Sequence, residues 1–140
     1  HLVKIDGTYH LFYKTSAKPL MNMHETSKDL FGTWQHDFDF QNYMASLYRP
    51  GSHEAATTYI LPDRKWCLML DFFGCEKEKM GYVPFISEKA GDAHFHQVNQ
   101  LFSFPYGFKH GKVIEISDEE YKKILSFFNN KARDASLRAD

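Results

Sequence analysis

The chain has 140 residues, enough for one domain with a real core and too few for two comfortable ones. Its 43% hydrophobic and 25% charged content is that of an ordinary globular domain, and no apolar run approaches the ~20 residues a membrane-spanning helix needs. A net charge of −1 excludes a nucleic-acid surface built on bulk positive charge.

The first hundred residues read as short strands separated by turns. HLVKIDG begins in mid-strand, without an initiator Met or a signal-peptide shape, as expected of a piece of something longer. His1–Ile5 alternates, Asp6-Gly7 is a hairpin turn, and Tyr9–Lys14 is aromatic and strand-like. Met21–Ser27 predicts a third strand, Lys28 to Gly32 a turn, and Trp34 opens a fourth. The order then recurs, with strands expected over Ala56–Leu61, Lys65–Asp71, Gly81–Ser87 and Phe95–Val98, and a turn at Pro62-Asp63.

The two stretches superpose. Asp6 to Asp63 and Tyr9 to Trp66 are each 57 positions, and Ser27 to Ser87 is 60. A period of roughly 40–60 residues with four strands per unit is the signature of a β-propeller blade; two antiparallel meanders alike by coincidence are the alternative. A third unit starts at His110–Ile116, read as a strand, and then changes to helix. Ser117 and Glu120 form a capping box, and Tyr121, Ile124, Leu125 and Phe128 fall on one helical stripe. The expected architecture is all-β: a partial β-propeller of about two and a half blades over residues 1–130, with a closing helix over 118–129 and a polar tail over 131–140. Because a ring needs at least ~4 blades, upstream blades or another copy of the chain would complete it.

In a propeller the first strand of each blade lines the central channel, so polar residues at its mouth converge. Glu54, in the stretch GSHEAATTYIL, and His110 occupy equivalent positions 56 residues apart. A lone Glu before a strand is usually a solvated carboxylate; this spacing singles Glu54 out.

The pieces DGTYHLFYK, ETSKDLFGTWQ, HEAATTYIL with KWCLMLD, and FSFPYGFKHGKVIEISDEEYKKIL together resemble glycoside hydrolase family 43, and span nearly the whole chain. The most specific are the turn from Ser27 to Trp34 and the Lys-His-Gly run at Lys109–Gly111. The resemblance implies a five-bladed propeller acting on arabinofuranosides or xylosides, with two Asp and one Glu on inner strands. It implies inverting hydrolysis, with a base and an acid roughly 6.5–9.5 Å apart. It puts the acid at Glu54, where Glu54-Ala55-Ala56 replaces the family's Glu-Gly-Pro, and leaves both Asp residues unidentified here. His110 maps to the family's channel histidine, beside a cation such as calcium; no organic cofactor is implied. Lys109 stands where relatives carry Arg and, as a point charge, lacks Arg's planar fork. His53, Phe73 and Tyr106 are candidate carbohydrate contacts, although His53 could face away and the aromatics could pack in the core. A non-catalytic carbohydrate-binding or structural propeller, or a sucrose- or fructan-cleaving relative, is the alternative. Compartment is not legible.

Other signals carry less. His94-Phe95-His96 places two imidazoles on one strand face with no third ligand near. The run Gly107 to Lys112 has the wrong spacing for a phosphate loop. Phe108 reads like Tyr106, and Arg49 as a solvated charge. Cys67 and Cys75, eight apart, match neither a zinc nor a redox motif; free thiols are expected, with a mutual bridge as the alternative.

Overall fold

The computed structural model describes residues 1–47, 52–74, 77, 80–98 and 109–136. Two four-stranded antiparallel sheets follow one another in the chain, each laid out in sequence order. The first contains β1 (Leu2–Ile5), β2 (Thr8–Lys14), β3 (Asn22–Ser27) and β4 (Gln35–His36). The second contains β5 (Ser52–Ile60), β6 (Trp66–Phe73), β7 (Gly81–Ser87) and β8 (His96–Gln97).

The 57-residue repeat is therefore structural: β2 and β6 are second strands of equivalent sheets. Even the turns match. Ser27 Oγ donates to the Asp29 carbonyl at 2.7 Å, and Ser87 Oγ to that of Lys89 at 3.3 Å. The β1–β2 turn holds Asp6 and Gly7 at φ 47° and 78°, the left-handed pair a tight hairpin requires.

The sheets pack face to face. Trp66, Leu68, Leu70 and Phe72 of β6 turn one face toward the first sheet, where Phe12 is the hub. Its ring stacks on His24 at 4.5 Å and meets Phe40 and Trp66 edge-on at 5.8 Å each. Gly91 (φ 84°) lets its loop come close to β1, since a Cβ there would lie 3.2 Å from Ile5 Cγ2. Cys67, Met69 and Ile86 occupy the opposite face of the second sheet in a separate buried cluster. Cys67 is a free thiol, and Cys75 lies outside the described residues.

A polar chain crosses the first sheet. Asp37 Oδ2 sits 2.7 Å from His24 Nδ1, and His24 Nε2 is 3.1 Å from His10 Nδ1. An ionised Asp37 only accepts, so His24 Nδ1 carries the proton, and its Nε2 accepts from His10 Nδ1–H. His10 Nε2 and the Trp66 indole N–H both end buried without a partner. Asp37 also caps α1 (Phe38–Ser46), accepting from the Phe40 N–H at 2.9 Å. This helix, absent from the sequence reading, buries Phe40 and Met44, one turn apart, against β3.

Several boundaries differ from expectation. β5 begins at Ser52, so Glu54 lies inside the strand and not before it. Only His96 of the His94-Phe95-His96 run is in a strand. The strand expected at His110–Ile116 does not form: no neighbouring strand offers it backbone partners, and Ile114 is exposed. Among the described residues the architecture is thus two sheets without a third strand unit. The last helix, α2, runs from Asp118 to Ser136, past the expected end at residue 129. Its capping box is present, with Ser117 Oγ 2.8 Å from Glu120 Oε2, yet Tyr121, Ile124, Leu125 and Phe128 are all exposed. Among the described residues no helix is long and apolar enough to cross a membrane.

Candidate active site

At one end of the second sheet three groups converge. Glu54 of β5 lies directly opposite Asp71 of β6, and His110 comes over them from the segment preceding α2. One carboxylate oxygen of each acid and His110 Nε2 all lie within 4.8 Å of one another.

The local backbone explains how Glu54 gets there. Glu54 pairs with Asp71 and Thr57 with Met69, so β5 spends one residue more than β6 over this step. That is a β-bulge, with Ala55 at φ 55°. The left-handed residue sits where the resemblance expects Gly, so Ala55 carries a strain that glycine would not. A bulge increases local twist and re-aims the neighbouring side chain, here toward the strand end.

Tyr82 ties the pieces together. It pairs with Asp71 on β7, and its hydroxyl lies 2.8 Å from the Ala55 carbonyl and 3.0 Å from that of Gly111. One phenol thus anchors both the bulge and the segment that carries His110.

The two acids differ electrostatically. Lys14, from the end of β2, reaches across to Glu54 Oε2 at 2.5 Å. That hydrogen bond first, then the charges of Lys14 and His110, outweigh partial desolvation and hold the Glu54 carboxyl below the usual range. An ionised Glu54 can only accept, so His110 Nε2–H donates to its Oε1 at 3.1 Å. Asp71 is fully buried, and burial pushes its carboxyl up, against the pull of Lys109 and His110. His110 Nε2 is also 3.1 Å from Asp71 Oδ2, but neither Asp71 oxygen receives a well-aligned hydrogen bond. Its single proton serves Glu54, and Asp71 has only the charge contact.

The remaining sequence candidates scatter. His53, the neighbour of Glu54, points the other way: it is 3% exposed, stacks on Phe72 and accepts from the Asn22 N–H at 3.1 Å. Its backbone N–H donates to the Leu20 carbonyl at 2.8 Å, so His53 joins the two sheets. Burial holds its imidazole down at about 4. Phe73 ends β6 on the same face as Asp71 and is half-buried. Lys109 is exposed, and its charge is felt by Asp71. Tyr106, Phe108 and Arg49 lie outside the described residues. Sequence reasoning missed Asp71 and Lys14. Asp71 was visible only as the last residue of a strand, and its place opposite Glu54 depends on the bulge.

Among families of known proteins, one related to glycoside hydrolase family 43 and described as a "probable glycosyl hydrolase domain" matches residues 1–122. No curated protein and no solved structure matches the chain. The chain belongs to this family-43-related glycosyl hydrolase family.

Proposed function

We propose that this member of a glycosyl hydrolase family cleaves arabinofuranosyl or xylosyl linkages by inversion, with Glu54 delivering a proton to the leaving oxygen. The observation that carries this reading is the convergence of Glu54, Asp71 and His110 at one strand end, since a lone surface acid has no such company. Asp71 is not the complementary base. Inversion needs carboxyl groups roughly 6.5–9.5 Å apart to admit water, and the oxygens of Glu54 and Asp71 are within 4.8 Å. Nor is it a nucleophile, because a fully buried carboxylate cannot reach a sugar carbon. The base comes from another carboxylate, which the family resemblance puts on a different inner strand. A complete propeller ring remains our expectation for the architecture around this end.

A divalent cation beside His110 suits the residues present. The buried Asp71 oxygens, which lack hydrogen-bond donors, and the His110 imidazole, once its Nε2 gives up its proton, would hold such an ion, while Glu54 stays with Lys14 and is left to act as the acid. When bound, it would polarise water or a sugar hydroxyl. Around it, Lys109 would contact sugar hydroxyls, Phe73 and Tyr106 would offer ring faces, and His53 would hold the strand end in place.

A second reading, a carbohydrate-binding domain without turnover, is favoured by one contact: Lys14 keeps Glu54 ionised, the wrong state for an acid. Substrate must displace that ammonium for catalysis to proceed. Replacing Glu54 by Gln in the full-length protein separates the readings. Turnover of an aryl arabinofuranoside or xyloside should vanish while the melting temperature holds; undiminished turnover rules out Glu54 as the acid.

A further inference from the structure

Away from the Glu54 cluster, three depressions lie along the outer edge of the sheets. Their volumes are about 380, 370 and 180 Å³. The first two share Thr26 and Gln35, and the last two share Asp39, so they lie side by side and are together termed the groove. It begins at Thr8, the first residue of β2, passes β4, and ends at His94 and Phe95 before β8.

The middle of the groove has an aromatic platform. Phe38 is 67% exposed, yet its ring is held by an edge contact with His36 at 4.7 Å. His36 is in turn fixed by Gln41 Oε1 at 2.6 Å and by Glu25 at 3.6 Å. The same depression is lined by the Thr26 hydroxyl, the Gln35 amide and the Asp39 carboxylate. An exposed ring with donors and acceptors beside it, on a fixed frame, is the chemistry that reads one face and the rim of a sugar.

We infer that this groove is a second carbohydrate site, separate from Glu54, which holds several units of a linear, uncharged polysaccharide. A pyranose or furanose ring offers an apolar C–H face to Phe38 and rim hydroxyls that both donate and accept to Thr26, Gln35 and Asp39. Phosphodiester chains are disfavoured: Asp29, Asp37 and Asp39 line the groove against Lys28. A peptide strand would find only the two residues of β4 as a ladder. The choice of a saccharide over other polyols rests on the glycosidase reading.

The test is affinity electrophoresis of the full-length protein in gels containing soluble arabinoxylan, beside heparin and polymer-free gels. Arabinoxylan should retard the parent and the Glu54→Gln variant alike. Phe38→Ala and Gln35→Ala should each weaken the interaction about tenfold, the loss of one stacking or bidentate contact. Both positions are exposed, so melting temperatures should hold, and Phe38→Tyr should restore retardation. Turnover of a small aryl glycoside should be unchanged in Phe38→Ala. Equal retardation of the parent and both groove variants, no retardation of the parent, or retardation by heparin alone would each overturn the site. Loss of retardation in Glu54→Gln alone would assign the polymer to the Glu54 end and overturn the groove. Phe38-dependent retardation in a protein whose turnover survives Glu54→Gln would keep the groove and sink the acid assignment instead.

Discussion

Glu54 and Asp71 face each other across the β5–β6 ladder, and the Nε2 of a single imidazole, that of His110, lies 3.1 Å from an oxygen of each. The two carboxyl groups are nonetheless opposite in character. Glu54 is held down by Lys14, and Asp71 is pushed up by burial. An acid pair with divergent environments is how one site can assign different tasks to like groups.

Removing the ammonium should therefore show in Glu54 itself. In Lys14→Met the Glu54 carboxyl should titrate at higher pH than in the parent, followed by carbon NMR of the labelled side chain. Stability should change by under about 1 kcal/mol, because the pair is partly exposed. An unmoved titration would mean that His110, and not Lys14, sets the state of Glu54.

Asp71 predicts a trade between stability and function. A buried carboxylate without donors is costly, and an amide of the same shape removes the charge. Asp71→Asn should raise unfolding free energy by roughly 1–2 kcal/mol in urea titrations. A lowered midpoint would show that the His110 contact already compensates the burial.

The bulge makes a separate prediction. Ala55 holds φ 55°, a region glycine enters freely, so Ala55→Gly should stabilise by roughly 0.5–1 kcal/mol. Ala55→Val should destabilise by more, since a branched Cβ is least tolerated there. Chemical denaturation of the two variants side by side decides it.

Acid should weaken the interface between the sheets. Burial, reinforced by His24, holds His10 down to about 4, against the opposing charge of Asp37. The folded chain keeps it neutral while the unfolded chain protonates below about 6.5. Stability should thus fall as pH drops from 6.5 toward 4, and this contribution should level off below 4. His10 faces His24 of β3, Asp37 at the head of α1, Lys28 of the following turn and the Trp66 ring of β6. Melting temperatures across that window should fall less steeply in His10→Leu, the remaining slope belonging to His53, which burial also holds at about 4; an equally steep fall in the variant would place the proton elsewhere.

Much of the fold was legible because its repeat is written in turn residues. Asp6-Gly7, Ser27 and Ser87 fix turns by local hydrogen bonds and left-handed backbone, and such signals need no tertiary knowledge. Gly81–Ser87 was read to the residue. Helix α1 was not, although Asp37 is a good cap, because Phe38, Phe40 and Tyr43 look as strand-like as helical. At His110–Ile116 the alternation was genuine, but a strand exists only beside another. The site was half legible. Glu54 and His110 were found by their shared offset, and they do meet. Asp71 was hidden because the bulge breaks period two: Glu54 and Thr57 face the same way although three residues apart. Lys14 reaches Glu54 across 40 positions, a distance that sequence pattern does not encode.

Helix α2 has a practical corollary. Tyr121, Ile124, Leu125, Phe127 and Phe128 stand in water along a charged helix, which makes the segment behave like a detergent molecule. Solvatochromic dyes will light up on it in the cold, before any denaturation. Melting curves of this protein belong to circular dichroism, or to the emission of Trp66, sealed between the sheets, followed in a chain whose part-exposed Trp34 is replaced by Phe.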